Sequence, residues 1–207
     1  MRTFVLYLLP TLQNDRSPGK YTGIMDSTRT AILDAADRLY YERGIQQVGI
    51  DELRSASGVS LKRLYSEFPG KNAIVLAVLE RRHAMWVDGL DVAARGQDTP
   101  RGKLLAIFDF LADWFITDQF RGCAFINAFG ELGGSSPEIA DAARAHKQSF
   151  QDYVDSLVAD AGGTVPLARQ LVLLAEGAQT TSAISGRPEA AIHAKAAAAV
   201  LISVALD

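Results

Sequence analysis

IDELRSASGVSLKRLYSEFPGK, residues Ile50–Lys71, decides the fold. Ile50, Leu53 and Ala56 stand three apart, the spacing of one buried stripe on a short helix. Gly58 ends that helix, because the chain reverses there through a left-handed conformation that a Cβ makes costly. Val59 plugs the corner, and the Ser60 side-chain oxygen can accept from the free amides of a second helix, Leu61 to Phe68. In that helix Leu64 and Phe68 fall four apart and face inward. Leu61, Lys62, Arg63, Tyr65 and Ser66 are left on the outside. Lys62 and Arg63 can donate to guanine acceptors or to phosphates, and Tyr65 and Ser66 to phosphates, which is what a helix lying in a DNA major groove requires.

A glycine-broken helix pair with outward charges is a degenerate motif by itself. Its flanks narrow the reading. Gly44, then Ile50-Asp51-Glu52-Leu53, Gly58-Val59-Ser60, Leu64-Tyr65, Phe68-Pro69 and Lys71 follow an order that resembles the N-terminal domain of the TetR family of transcriptional regulators. The sequence departs from the family pattern at Arg54, where a small residue is usual, and at Ser57, where alanine is usual. The resemblance implies an all-α fold, with a three-helix helix-turn-helix head followed by a helical ligand-binding and dimerisation domain. The candidate DNA-facing set is Arg29, Gly49, Ser60, Leu61, Lys62, Arg63, Tyr65, Ser66 and Lys71.

Upstream, Asp26 or Ser27 can cap a first helix whose stripe is Ile32, Leu33, Ala36, Leu39 and Tyr40, closed by Arg43 and Gly44. By resemblance this helix braces the second of the pair and brings its N-terminus near the DNA backbone, which makes Arg29 a phosphate contact. Residues 1–25 read as a disordered or mis-assigned leader, with Met25 an alternative start. MRTFVLYLLP has one positive charge and a short apolar run, but Pro10 ends the run, no small-residue cleavage site follows, and the run is too short to span a bilayer.

Downstream of the Pro69-Gly70 turn a long helix is expected over residues 71–92, through Ile74, Val75, Val78, Leu79, Met85 and Trp86. Lys71 sits in its first turn, where the helix dipole disfavours a cation, so a phosphate partner would account for it. This helix links a head at 26–70 to a domain over 71–207. Ala94 to Gly102 reads as a loop. Leu104, Leu105, Phe108, Leu111, Ala112 and Phe115 form the next stripe, with Phe110 and Trp114 beside it. A short helix follows Arg121-Gly122, and Ser136-Pro137-Glu138 opens another long one. The aromatic density predicts a cavity for a small, largely apolar effector, lined by Trp86, Phe108, Leu111, Trp114, Phe115, Cys123, Phe125, Asn127, Phe129, Glu131, His146 and Phe150. Cys123 is also a candidate redox sensor.

Gly162-Gly163 and Gly186-Arg187-Pro188 bound two last helices rich in Ala and Leu, which by resemblance pair across a two-fold axis as a homodimer. The 207 residues, 48% hydrophobic and 22% charged, describe a globular protein, and the formal charge of −3 carries no global basic field. Between Ser27 and Leu90 acidic and basic residues balance; beyond Asp91 acidic ones predominate. The single cysteine excludes an intrachain disulfide and fits a reducing cytoplasm. His83, His146 and His193 have no metal-ligand spacing, and neither a glycine-rich phosphate loop nor a Gly-x-Ser-x-Gly elbow occurs, so no metal, cofactor or catalytic residue is predicted. The expectation is a ligand-released homodimeric repressor on a palindromic double-stranded operator, with no membrane. The alternatives are a ligand-binding protein of this fold without DNA binding, or a small helical enzyme using Cys123 or His146.

Overall fold

The computed structural model describes residues 22–206, with side chains from Ser27 onward. Among them the chain folds into nine helices and no strand: α1 (Thr22–Arg43), α2 (Ile50–Ser57), α3 (Leu61–Glu67), α4 (Lys71–Arg95), α5 (Pro100–Phe115), α6 (Ala124–Leu132), α7 (Pro137–Asp160), α8 (Val165–Ser185) and α9 (Ala190–Leu206). α1 starts at Thr22, upstream of both expected caps, so Asp26 and Ser27 lie within it. The leader expected over residues 1–25 thus lies outside the described residues except for its last four, which are helical.

The helix pair forms as its residues dictate. Gly58 takes φ 69° and donates to the Ser55 carbonyl, and Ser60 accepts from the Arg63 amide at 3.3 Å. One register differs: Ala56 is exposed, and Ile50, Leu53 and Ser57 form the inward line, as 3.6 residues per turn demands over seven positions. Ser57 is accommodated there because its hydroxyl donates to the Leu53 carbonyl at 2.7 Å.

Two clusters of buried side chains divide the molecule. The head cluster joins Ile32, Ala36, Leu39 and Tyr40 of α1 to Leu53, Leu64 and Phe68, and to Ile74, Val75 and Val78 of α4. It also takes in Cys123, Phe125 and Ala128 around α6, and Ile139 and Ala143 of α7. The body cluster joins Trp86 and Leu90 of α4 to α5, the second half of α7, α8 and α9. α4 passes from one core to the other between Leu79 and Trp86, so the cores do not part at Lys71. Met85, expected on its inner stripe, is largely exposed. α4 continues to Arg95, and α5 begins at Pro100, with Thr99 accepting from the Gly102 amide at 3.0 Å; much of the expected 94–102 loop is helical because Thr-Pro is a helix-start pair. No described helix is long and apolar enough to cross a membrane.

Candidate nucleic-acid interface

α3 turns Leu64 fully inward and exposes Leu61, Lys62, Arg63, Tyr65 and Ser66. Tyr65 is 50% exposed and Leu61 41%, so both are accessible on the outer face of α3. The Ser66 hydroxyl donates to the Arg63 carbonyl at 2.7 Å, which leaves its oxygen lone pairs, not its proton, for a ligand. Gly49 is the extended N-cap of α2, exposed, with open space where a Cβ would stand.

Arg29 and Lys71 have neighbours that the sequence does not announce. The Arg29 guanidinium stacks 4.3 Å above the Phe68 ring and donates to the Glu67 carbonyl at 3.3 Å, which ties α1 to the end of α3. Lys71 is half-buried, its ammonium 5.9 Å from the Tyr40 ring. Burial pushes its pKa down from the ordinary lysine value, and the Glu131 carboxylate opposes that shift. Arg81 bonds Asp34 at 2.5 Å and the Leu33 carbonyl at 3.2 Å, Arg82 pairs with Asp37 and lies 3.8 Å above the Tyr41 ring, and Arg43 pairs with Glu52. These contacts fix α1 against α2 and α4, and so fix the frame that presents α3.

The predicted effector-site residues divide between the two cores and the junction of head and body. Phe108, Leu111, Phe115 and Phe150 are buried in the body core, where the rings fill their own interior. Trp86 meets Phe110 and Phe150 edge-on at 5.3 Å, Trp114 at 5.7 Å and His146 at 5.9 Å between centroids. Aromatics at helical spacing have packed as core. Phe125 lies flat on His146 at 3.7 Å and belongs to the head cluster, and Phe129 is half-exposed on the outer face of α6. Cys123 is buried, 3.3 Å from the Lys147 ammonium, which also bonds Glu176 at 2.6 Å.

Asn127 and Glu131 lie instead at the junction of head and body. They line a cavity of about 30 Å³ with Tyr40 and Tyr41 of α1 and Val75 and Arg82 of α4, room for little more than water. Asn127 donates to the Arg121 carbonyl at 3.1 Å. The Glu131 carboxylate accepts from the Ile45 and Gln46 amides at 2.9 and 2.8 Å. Gln46, Tyr41, Arg81 and Arg82 escaped the sequence reading. Each works through a partner more than forty positions away in the chain, which no local pattern marks. A second concavity, about 330 Å³ and open, lies between Asp91, Arg95, Lys103 and Tyr153, away from the predicted residues.

Comparison with known proteins bears on this arrangement. Residues 32–78 match the family model described as bacterial regulatory proteins, tetR family. The HTH-type transcriptional activator FasR of Mycolicibacterium smegmatis is 30% identical over 149 residues, 72% of this chain and 67% of that one. The HTH-type transcriptional repressor ComR of Escherichia coli is 29% identical over 119 residues, 55% of each chain. Among solved structures, SCO4454, a TetR-family transcriptional regulator from Streptomyces coelicolor, superposes with a TM-score of 0.82 at 28% identity over 88% of this chain and 97% of its own.

Proposed function

Since the chain belongs to the TetR family, and is therefore a DNA-binding transcriptional regulator rather than an enzyme using Cys123 or His146, we propose that it is a homodimeric repressor released from a palindromic operator by a small effector. The observation that carries the reading is the open face of α3, where Lys62, Arg63 and Tyr65 stand clear of the rest of the head. Arg63 reads a guanine edge in the major groove, Lys62 and Tyr65 hold phosphates, and Lys71 adds a phosphate contact from the first turn of α4. Arg29, clasped on Phe68, supports α3 from behind.

The dimer reading draws on α8 and α9. Their facing sides bury Ala175, Ala178, Ala191, Ala194 and Ala198, which lets the helices approach closely. Their outer sides expose Leu173 (72%), Ile184 (83%), Ile192, Val200 and Val204, an apolar surface suited to a second copy packed as a four-helix bundle. Two heads related by that axis meet half-sites about one helical turn apart or slightly more. In the body, the buried donors Trp86 Nε1 and Gln179 Nε2 have no hydrogen-bond partner among the described residues. An apolar effector carrying a hydrogen-bond acceptor would satisfy the Trp86 donor at the expense of the ring packing around it. Its differential affinity for the DNA-incompetent state, about 1–3 kcal/mol of coupling, suffices for a switch. Repression rather than activation and a cytoplasmic location are part of the same proposal.

The test is binding to the DNA upstream of the protein's own gene. Arg63→Ala should cost about 1–3 kcal/mol and relax preference at one base position, whereas Lys71→Ala should weaken all sequences alike and reduce the salt slope by about one. Unchanged operator binding in both variants would overturn the assignment of these side chains.

A further inference from the structure

We propose that Glu131 is a positioning residue for DNA recognition: by clasping the turn between α1 and α2 it sets the orientation of the reading head on the body. The proposal rests on the reading of the chain as a two-headed operator-binding dimer.

The clasp is reciprocal. Glu131 Oε1 accepts from the Ile45 amide at 2.9 Å and Oε2 from the Gln46 amide at 2.8 Å, while Gln46 Nε2 donates to the Glu131 carbonyl at 2.6 Å. The turn is shaped around the carboxylate. Gly44 takes φ 87°, and a Cβ placed there would stand 3.2 and 3.3 Å from the two Glu131 oxygens. The other end of α6 is held too: the Tyr41 hydroxyl donates to the Gly122 carbonyl at 2.6 Å and accepts from the Arg121 amide at 3.0 Å. The nine-residue α6 is thus fastened to the end of α1 at both its ends, and α2 and α3 follow directly from that point.

Two further features make the clasp a device rather than incidental packing. A cavity of about 30 Å³ between α1, α4 and α6 lies directly beside the clasp, so at this point the hydrogen bonds add to the apolar packing of Phe125 and Ala128 in fixing the alignment. The loop before α6 also reports on the body: a Cβ on Gly122 would stand 3.0 Å from Ala183 of α8, and neighbouring Cys123 touches Lys147 of α7, itself paired with Glu176 of α8. A shift of α7 against α8 therefore reaches the head through α6 as well as through α4.

The experiment compares full-length wild type, Glu131→Ala and Gln46→Ala by fluorescence anisotropy on two duplexes of equal length, one with both operator half-sites and one with a single half-site. A positioning residue matters only when two heads must be in register. Glu131→Ala is expected to change the two-site affinity about tenfold or more, in either direction, while leaving the one-site affinity within about twofold, and Gln46→Ala to do the same to a smaller degree. Equal changes on the two duplexes, or none on either, overturn the proposal. A wild type that does not prefer the two-site duplex refutes the dimeric operator reading itself, and the clasp proposal with it.

Discussion

Acidification should destabilise the protein through His146. This side chain is 5% exposed, lies parallel to the Phe125 ring at 3.7 Å, and brings its Nδ1 to 3.0 Å from Nδ1 of His83. Two imidazole nitrogens at that distance bond only if one carries a hydrogen and the other a lone pair, so at least one ring is neutral. Burial above all, then the charges of Lys147 and His83, push the His146 pKa from 6.5 down to about 3. The unfolded chain therefore binds a proton as pH falls through 6.5, while the folded chain does not until about pH 3; the contribution is intact above 6.5 and is lost below it. At pH 5, about 1.5 units below the ordinary value, the folded state has lost about 2 kcal/mol relative to neutral pH. Urea denaturation at pH 7 and pH 5 measures this, as a midpoint lowered by about 1 M for a slope near 2 kcal/mol per M. Other titrating groups contribute to wild type and to His146→Gln alike, so the informative quantity is the difference between their pH dependences. The variant should lose about 2 kcal/mol less on acidification. Equal losses, or a His146 ring resonance titrating near its ordinary value in the folded protein, would refute the reasoning.

Two other outcomes follow from the geometry. A Leu173→Glu/Val200→Glu double variant puts carboxylates at positions 72% and 63% exposed in the protomer, so the fold should survive while association fails; sedimentation at micromolar concentration should show a monomer, and a persistent dimer would displace the interface from α8 and α9. Gly44→Ala forces a Cβ into φ 87° and against the Glu131 carboxylate, which should cost about 1–2 kcal/mol from the backbone alone and lower the melting temperature by about 2–8 °C. An unchanged melting temperature would show that the turn relaxes freely.

The head was legible because its determinants are local. Ser60 caps three residues ahead, Gly58 reverses the chain at its own position, and Leu64 and Phe68 are one turn apart, so sequence spacing translates directly into geometry. The same logic slipped at Ala56, where a spacing of three over two turns drifts off the inner face and Ser57 takes the position instead. It slipped again at Met85, because α4 changes the partner it packs against between Leu79 and Trp86, and no single periodic stripe survives a change of core.

The body resisted reading for a different reason. Periodicity identifies which rings point inward but not whether they enclose space or fill it, since a wall and a plug have the same helical spacing; Trp86, Phe110, Trp114 and Phe150 are plug. Polar residues beside such rings are equally ambiguous, and here the ambiguity has a physical resolution. A carboxylate among apolar neighbours must find donors, and amides of a turn whose backbone does not donate within a helix are the nearest to hand. Glu131 finds two of them 85 and 86 positions upstream, and it also offsets the effect of burial on the half-buried Lys71. One side chain read as part of an effector pocket thus stands electrostatically between the lysine expected at the phosphate and the turn that leads into the reading helices. A perturbation of α6 would consequently act on the turn through these two hydrogen bonds, changing the orientation of the head while leaving the outward side chains of α3 as they are.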